Sequence, residues 1–317
     1  MNAVVRVPSA KCVVFAYSEV GVRCLKVLIS GGAKIALVVT HEDDPTENRW
    51  YGSVAETAAD YGLPVIYPAD PKDPALLLAV ESIAPDFIFS FFYRYLLSNS
   101  ILRSASRAAL NMHGSYLPDY RGRAPVNWAL IHGETQLGAT LHHMVARADA
   151  GDIVGQCAVP ILEDDDAREV FNKVVVAAEI VLSNSWPKLL VGTAPRIAQD
   201  INAGRYFGRR RPENGLINLK DSARTIHNLV RAVAPPYPGA YILFEGQKLF
   251  FYKTRVLHNT ENILVSQSVR FTAVEERWII ECADGSCLWV LAAALNDVVL
   301  DVVKMARRFA SMPVTFS

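Results

Sequence analysis

The chain has 317 residues, of which 51% are hydrophobic and 20% are charged. This length allows a large α/β core with a smaller second domain, and this composition excludes a disordered protein. The 32 basic residues balance the 32 acidic residues, so we do not expect the broad basic surface that is typical of a nucleic-acid-binding protein.

The first part of the chain alternates strand-like and helix-like segments. Short apolar runs predict strands at 12–16, 34–39, 64–66 and 86–92, and helices are predicted near 19–30, 52–61 and 73–83. This alternation predicts the α/β fold class, with a Rossmann-like, mostly parallel sheet and helices on both faces. The turn after the first strand, Tyr17 to Gly21, lacks a G-x-G-x-x-G phosphate cradle, so no nicotinamide or flavin dinucleotide is predicted.

Polar side chains stand at the end of the next apolar run, which begins at Ala108. Asn111 and His113 are two residues apart, so on a strand both side chains face the same space. Ligands of open α/β sheets bind beyond the carboxyl ends of strands. An amide can stabilise an oxyanion and an imidazole can carry a proton, which favours catalysis, while a hydrogen-bonded structural role for His113 stays open.

Asp149 is the third candidate for the same site. A carboxylate commonly orients a catalytic imidazole, but the stretch from Asp149 to Asp152 also has the composition of a turn. Spacing alone does not choose between these roles. His142 and His143 are adjacent, so on a strand they point to opposite faces, and no partner stands at metal-ligand spacing. No metal site is predicted.

The last third of the chain predicts a second domain. A Gly-, Pro- and Arg-rich stretch predicts a linker at 196–212, between a catalytic domain at 1–195 and a C-terminal domain at 213–317. The C-terminal domain is predicted to be smaller and β-barrel-like (OB-like). Its strands are predicted at 241–244, 249–252, 268–271, 278–281 and 288–291. The linker arginines, Arg205 and Arg209 to Arg211, are either solvated or clamp a phosphate group.

Cysteine content and hydropathy predict a cytoplasmic protein. The five cysteines are scattered and odd in number, which favours free thiols in a reducing compartment over a disulfide framework. The longest clearly apolar stretch, Cys287 to Leu295, has about half the length that a membrane span needs. The N-terminal residues lack the pattern of a signal peptide. We therefore expect no membrane insertion.

One long motif points to a family. It runs Asn111-Met-His-Gly-Ser-Tyr-Leu-Pro-Asp-Tyr-Arg-Gly-Arg-Ala-Pro125 and is followed by Arg147-Ala-Asp-Ala-Gly-Asp-Ile153. This pattern resembles the N10-formyltetrahydrofolate-dependent formyltransferases. Further stretches, among them Tyr51-Gly-Ser-Val-Ala55, Ser90-Phe-Phe-Tyr-Arg-Tyr-Leu-Leu97 and Phe207-Gly-Arg-Arg210, are most similar to the ArnA branch of that family. That branch formylates UDP-4-amino-4-deoxy-L-arabinose in lipid A modification and polymyxin resistance. The resemblance covers most of residues 11–255.

The resemblance implies a role for each candidate residue. Asn111 would stabilise the oxyanion of the tetrahedral intermediate, His113 would carry the proton, and Asp149 would hold His113 and favour its charged form. The implied folate pocket consists of Tyr95, Leu96, Leu97, Val145, Ala146, Arg147, Ala148 and Asp149. The implied sugar-nucleotide contacts are Arg123, Asn127, Arg209 and Arg210. Tyr95 stands where the family has histidine, a change that would alter folate affinity rather than the chemistry.

The implied reaction transfers a formyl group from the co-substrate N10-formyltetrahydrofolate, without a metal, to the amine of a nucleotide-linked amino sugar. UDP-4-amino-4-deoxy-L-arabinose is the first expectation. ArnA also has an NAD-dependent decarboxylase half that the 317 residues do not contain, so a separate decarboxylase is expected. The resemblance also allows a homo-oligomer.

Two other functions stay open. Methionyl-tRNA formyltransferase shares the catalytic motif, but the neutral net charge disfavours a tRNA substrate. A regulatory protein that binds folate or a nucleotide without turnover is disfavoured by the intact set of Asn111, His113 and Asp149.

Overall fold

The computed structural model describes residues 9–43, 49–257, 269–296, 298–311 and 314–316. The chain forms two compact units, and each is assembled from separate segments. The first unit consists of Met1–Pro125, Gln136–Val159 and Asn172–Phe207. The second unit consists of Val126–Thr135, Pro160–Phe171 and Gly208–Ser317. The sequence analysis predicted two continuous domains, at 1–195 and 213–317, without this interleaving. Local composition does not show which distant segments lie close together in space.

The core of the first unit is a mixed sheet. Its strands are β1 (Lys11–Ala16), β2 (Lys34–Val39), β3 (Val65–Ile66), β4 (Phe87–Phe91), β5 (Ala108–His113), β7 (Gln136–His143) and β8 (Ile153–Pro160). A separate small sheet pairs β6 (Arg121–Gly122) with β9 (Tyr206–Phe207). The order across the main sheet is β3-β2-β1-β4-β5-β7-β8. Pairing is parallel from β3 to β5 and antiparallel between β5 and β7, which confirms the predicted Rossmann-like, mostly parallel sheet.

Several helices begin at a serine that caps the first turn. The helices are α1 (Ser18–Ser30), α2 (Val54–Asp60), α3 (Pro74–Ile83), α4 (Asn99–Arg103), α5 (Pro125–Ile131), α6 (Ala167–Val191), α7 (Ala223–Ala232) and α8 (Val302–Ser311). The side chains of Ser53, Ser98 and Ser222 each accept a backbone N–H from the first turn of α2, α4 and α7. Such a cap stabilises a helix by about 1 kcal/mol, which explains where these helices start.

Aromatic packing fixes α6 on the main sheet. Every residue of β4 is buried, as expected for a parallel strand that is covered on both faces. The rings of Phe87 and Phe89 contact the indole of Trp186 edge-on, with centroids 5.6 and 6.0 Å apart. Trp186 donates its Nε1–H to the carbonyl of Gly31 (2.9 Å). Because burial of one phenylalanine contributes about 1.5–3 kcal/mol, this cluster is a substantial part of the core.

In the described part of the chain, α6 is the one helix that is long and apolar enough to cross a membrane by length and composition. However, 56% of its most apolar stretch is buried inside the protein. Glu179 of the same helix forms an ion pair with Arg23 (2.6 Å). Core helices of folded proteins pass the same test. The buried face of α6 packs in the protein interior, whereas Val176, Ile180 and Val191 are exposed.

The second unit is built on an antiparallel sheet. Its strands are β10 (Ala240–Phe244), β11 (Gln247–Leu257), β12 (Val269–Val274), β13 (Arg277–Glu281), β14 (Cys287–Leu295), β15 (Val298–Val299) and β16 (Val314–Phe316). Their order is β10-β11-β14-β13-β12-β16, with β15 beside β14. Phe251, Phe271, Trp278 and Phe309 are buried in one apolar cluster between the sheet and α7 and α8. The predicted C-terminal β domain is confirmed, although Ser268, where one of its strands was predicted to start, lies outside the described residues.

Much of the predicted linker is a structured part of the first unit. Ile197 pairs with Ile153 through two backbone hydrogen bonds of 2.7 and 2.9 Å, and β9 pairs with β6. The composition predicted a connector because Gly, Pro and Arg are common in loops. Backbone bonds to distant strands instead tie this stretch to the unit. We call residues 196–207 the 196–207 segment.

Candidate active site

Asn111 and His113 lie at the carboxyl end of β5, which stops at His113. The strand runs between β4, which is parallel to it, and β7, which is antiparallel. His113 is only 7% exposed, whereas Asn111 is half-buried. Open α/β sheets bind ligands at this edge, so both polar side chains stand where a substrate is expected to bind.

A backbone carbonyl determines the proton arrangement of His113. Nε2 of the imidazole lies 2.8 Å from the carbonyl oxygen of Tyr120. A carbonyl can only accept, so Nε2 carries the hydrogen and donates it. Nδ1 is therefore the nitrogen that can take up and release a proton. It lies 3.6 Å from Oδ1 of Asp149, which is within ion-pair range but longer than a direct hydrogen bond.

A backbone N–H positions the carboxylate of Asp149, which lies near two imidazoles. Oδ2 accepts the backbone N–H of Gly122 (2.9 Å). Oδ1 lies 3.6 Å from Nδ1 of His113 and 3.6 Å from Nε2 of His142. The backbone of Asp149 is in the left-handed region, with φ of 53°. Asp tolerates this conformation better than most residues. The turn that the composition of residues 149–152 predicted therefore also directs the carboxylate of Asp149 towards His113.

Asp149 is ionised at neutral pH. Burial raises the pKa of its carboxyl group, but the neighbouring His113, the contacts with His142 and the N–H of Gly122 together outweigh burial and hold the pKa well below its usual range. A carboxylate in this position favours the protonated form of an adjacent imidazole. The pair can therefore stabilise positive charge on His113 during a proton transfer.

His142 also belongs to the site, although the sequence analysis considered it only as a possible metal ligand. The register of β5 and β7 puts it directly opposite Asn111. Its Nδ1 donates to the carbonyl of His143 (2.9 Å), so in the neutral ring Nε2 accepts from Nδ2 of Asn111, 3.1 Å away. This bond orients the amide and leaves its second N–H for a ligand. Across the described residues, no group of three or more His, Cys, Asp or Glu side chains could hold a metal ion.

The two loops predicted to bind folate lie beside an apolar cluster of the first unit that includes Val13, Phe15 and Ile88. Leu97, from the loop after β4, and Met144, from the loop after β7, both pack against this cluster. Beside them, Tyr95, Leu96 and Val145 are 43%, 78% and 44% exposed. Ala146 and Arg147 are exposed, and Ala148 is half-buried. Large apolar side chains that are exposed next to polar candidates are typical of a ligand-binding surface.

His41, which the sequence analysis did not select, belongs to the same surface. It stacks on Tyr93, with centroids 4.3 Å apart, and meets the edge of Tyr95 at 5.1 Å. Burial, with a smaller effect of the Arg94 guanidinium, lowers the pKa of His41 to about 4. The neutral ring accepts the backbone N–H of Arg94 at Nε2 (3.1 Å). Its position just after β2 was the available signal, because ligand sites collect at the carboxyl ends of strands.

The predicted sugar-nucleotide contacts differ in their surroundings. In the first unit, Arg123 is exposed. In the second unit, Arg209 is exposed, whereas Arg210 lies over the ring of Trp128 (4.8 Å) and donates to the carbonyl of Asn214 (2.7 Å).

Asn127 requires a correction. Only 5% of this residue is exposed, and its amide donates to the carbonyl of Ala232 (2.7 Å). The motif that surrounds Asn127 suggested a ligand contact, but the residue faces inward from α5 and satisfies a carbonyl at the end of α7. We therefore remove it from the proposed substrate contacts.

Two family models match the chain. The model described as formyl transferase matches residues 11–185, and the model described as formyl transferase, C-terminal domain, matches residues 210–303. The first match contains Asn111, His113 and Asp149.

Solved structures share the fold at low identity. An N-formyltransferase from Helicobacter canadensis, in complex with folinic acid and dTDP-3-aminofucose, is 21% identical with a TM-score of 0.71, over 89% of this chain and 99% of that chain. WlaRD, a sugar 3N-formyl transferase in the presence of dTDP and 5-N-formyl-THF, is 20% identical with a TM-score of 0.69, over 92% and 99%. A 4-N formyltransferase from Francisella tularensis is 22% identical with a TM-score of 0.61, over 76% and 96%. With the first family model alone spanning more than half of its length, this chain belongs to the formyl transferase family of enzymes.

Proposed function

We propose that this enzyme transfers a formyl group from N10-formyltetrahydrofolate to the amine of a nucleotide-linked amino sugar. The observation that carries the proposal is the arrangement of Asn111, His113 and Asp149 at the carboxyl end of β5, with Nδ1 of His113 3.6 Å from Oδ1 of Asp149. This arrangement supplies an oxyanion donor, a proton carrier and a fixed negative charge at one place.

Asn111 is the proposed oxyanion donor. When the amine adds to the formyl carbon, a C–N bond forms and negative charge develops on the formyl oxygen. The amide N–H that His142 does not engage can donate to that oxygen. Donors of this kind contribute about 10²- to 10³-fold to turnover. The bond from Asn111 to His142 (3.1 Å) holds the amide in place before the substrate arrives.

His113 is the proposed proton carrier. Its Nδ1 accepts the proton of the attacking amine and returns a proton to N10 of the folate as the C–N10 bond breaks, so no proton is gained or lost overall. Asp149 stays ionised and stabilises the imidazolium between these two transfers. Because the carbonyl of Tyr120 holds Nε2–H (2.8 Å), only Nδ1 takes part.

Support for the two substrates comes from the exposed apolar loops and from proteins of the same fold. Tyr95, Leu96 and Val145 offer a surface for the folate rings, and backbone groups of residues 145–149 can bind the edge of a pterin. The Helicobacter canadensis structure contains folinic acid together with dTDP-3-aminofucose. The WlaRD structure was obtained with dTDP and 5-N-formyl-THF. This pairing of a folate with a thymidine nucleotide supports a nucleotide sugar as acceptor.

UDP-4-amino-4-deoxy-L-arabinose remains the first candidate for the acceptor, from the ArnA-like motifs. The exposed guanidinium groups of Arg123 and Arg209 are proposed contacts for its diphosphate. A cytoplasmic location is part of the proposal, since all five cysteines are free thiols, as a reducing compartment would keep them.

An assay with separate acceptors tests the proposal. Release of tetrahydrofolate from N10-formyltetrahydrofolate is followed with UDP-4-amino-4-deoxy-L-arabinose, with a dTDP-linked amino sugar and with methionyl-tRNA. We expect turnover with a nucleotide sugar and none in a His113→Gln control. Turnover with tRNA alone would contradict the proposal that the acceptor is a nucleotide sugar. Folate binding without turnover on any acceptor would instead favour a non-catalytic folate-binding protein.

A further inference from the structure

We propose that the 196–207 segment is a positioning clamp for the catalytic pair, and that Gln199 and Arg121 are its positioning residues. The inference rests on the proposed function, in which His113 carries the proton and Asp149 supports it. Neither Gln199 nor Arg121 is placed among the reacting groups. Both act through the loops that hold Asp149 and the hydrogen-bond partner of His113.

Gln199 holds the turn that carries Asp149. Its side-chain Nε2 donates to the carbonyl of Asp149 (3.2 Å) and to the carbonyl of Gly151. An amide NH₂ has two hydrogens, and both are used on this one turn. Because Asp149 has a φ of 53°, its carboxylate faces His113 only while the turn keeps that left-handed conformation.

The same turn is anchored again on either side of Gln199. Ile197 makes the paired backbone bonds to Ile153 (2.7 and 2.9 Å), directly after the turn. Arg196 forms an ion pair with Asp152 (2.6 Å), although its side chain is 64% exposed, so this pair contributes little. The backbone bonds of Ile197 and the side-chain bonds of Gln199 are therefore the main contacts that stabilise the turn of Asp149.

A second part of the segment holds the loop that carries Tyr120 and Gly122. Arg121 and Arg123 donate their backbone N–H groups to the carbonyls of Arg205 and Phe207 (3.1 and 2.9 Å). The ring of Tyr120 stacks on that of Phe207, with centroids 5.1 Å apart. These contacts fix the two groups that the catalytic pair depends on, namely the Tyr120 carbonyl for His113 and the Gly122 N–H for Asp149.

Arg121 binds the 196–207 segment from a buried position. The residue is 3% exposed, and its Nη2 donates to the carbonyls of Ile201 and Gly204 (2.6 and 2.9 Å). Among the described residues, its Nε and Nη1 atoms have no hydrogen-bond partner. Burying a guanidinium with partners at only one nitrogen costs free energy. The two carbonyl bonds are the polar contacts by which this buried guanidinium holds the 196–207 segment.

The test compares variants that remove the donors with variants that keep them. Gln199→Met keeps the side-chain length but loses the hydrogen bonds. Arg121→Met loses them with a shorter apolar side chain, whereas Arg121→Lys keeps a donor. Asn202→Ala, at an exposed position of the same segment, is the matched control. We expect kcat to fall about 10- to 100-fold in both Met variants, because misplacement by about 1 Å can cost that much. The KM for the formyl donor should stay within about threefold in Arg121→Met, because Arg121 bonds to Ile201 and Gly204 and not to the folate loop at 145–149.

Two readouts separate positioning from general stability. The pH profile of kcat should change in Gln199→Met, and Arg121→Lys should recover most of the activity that Arg121→Met loses. Wild-type kcat and an unchanged pH profile in Gln199→Met would overturn the proposal, as would an equal loss in Asn202→Ala. If Arg121→Met does not fold, Gln199→Met decides, because Gln199 is only half-buried and its Oε1 has no partner among the described residues.

A measurement without turnover distinguishes this proposal from the proposed function. The ¹⁵N chemical shifts of His113 report which ring nitrogen carries the hydrogen. We expect the Nε2–H form in the wild type and a mixture of the two forms in Arg121→Met, because the Tyr120 carbonyl is no longer held. Absence of formyl transfer in the wild type would contradict the proposed function alone. Retention of the Nε2–H form in a folded Arg121→Met would contradict the clamp.

Discussion

At the scale of single residues, one carbonyl decides which nitrogen of His113 can carry the proton in the proposed mechanism. The oxygen of Tyr120 accepts Nε2–H (2.8 Å), so Nδ1 faces Asp149. The pKa of Asp149 is held well below its usual range, because the imidazoles and the Gly122 N–H outweigh the effect of burial. The carboxylate is therefore present across the physiological pH range to stabilise a charged His113.

Replacing His113 with alanine should lower kcat about 10²- to 10⁴-fold, with little loss of folate binding, because a proton carrier acts on the transition state. Steady-state kinetics and folate titration measure the two effects separately. A variant with near-normal turnover would remove His113 from the mechanism.

Asp149→Asn should lower kcat about 10²-fold or more and change the shape of the pH profile of kcat. The amide oxygen can still accept the Gly122 N–H, but the negative charge that favours protonated His113 is lost. Asp152→Asn is the matched control, since Asp152 pairs with the exposed Arg196 (2.6 Å). Identical pH profiles in the wild type and Asp149→Asn would reduce Asp149 to a turn residue.

His41 makes folding stability depend on pH. Its pKa is lowered, first by burial and then by Arg94, to about 4 from an ordinary value of 6.5. Between these values the unfolded chain binds the proton and the folded chain does not, so this contribution is present above pH 6.5 and is lost as the pH falls towards 4.

His41→Phe keeps a ring for Tyr93 and removes the titration. The difference in unfolding free energy between pH 7 and pH 5 should shrink by about 1 kcal/mol, a value reduced from the full shift because solvent screens a partly buried ring. Urea unfolding at the two pH values measures this difference. An unchanged difference would mean that His41 is not the group responsible.

At the scale of elements, the site depends on how closely the turn after β7 folds back on that strand. A Cβ added to Gly151 would lie 1.9 Å from the carbonyl oxygen of His143, the last residue of β7. Only glycine allows this approach, and the approach brings Asp149 towards β5. The antiparallel register of β5 and β7 also puts His142 beside Asn111.

Gly151→Ala should therefore destabilise the fold by about 1–3 kcal/mol and reduce turnover, since the turn that carries Asp149 must move. Gly208→Ala is the control, because an added Cβ there meets nothing within 4 Å. Urea midpoints and kcat are measured for both variants. Equal stability and activity in the two would show that the turn accommodates the methyl group without displacing Asp149.

At the scale of the whole molecule, the balance of 32 basic and 32 acidic residues bears on the acceptor. A protein that makes 6–10 phosphate contacts with a nucleic acid loses about 10³- to 10⁵-fold in affinity between 50 and 200 mM salt. A nucleotide sugar has only a diphosphate to neutralise, so far fewer counterions are released on binding.

The KM for a nucleotide sugar should accordingly change by less than about fivefold between 50 and 200 mM salt. Steady-state kinetics at a fixed folate concentration measure this change. A steep dependence, of the size expected for a polyanion, would favour methionyl-tRNA, the alternative acceptor, over a nucleotide sugar.

The sequence by itself determined those properties that depend on neighbours along the chain. Alternating apolar runs determined the mostly parallel sheet, because a strand that is buried on both faces needs a continuous apolar run such as Phe87 to Phe91. The motif from Asn111 to Pro125 determined the family, because its residues stand in one uninterrupted stretch. The same motif supplied Asn111 and His113 as candidates.

Only the tertiary structure decided the partners of these residues. His142 became the neighbour of Asn111 through an antiparallel register, Asn127 turned inward to the end of α7, and Gln199, from a predicted linker, bonded to the turn of Asp149. The physical reason is the same in each case. A hydrogen bond between groups that are distant in sequence depends on how strands and loops pack, and the composition of a short window contains no information about that packing.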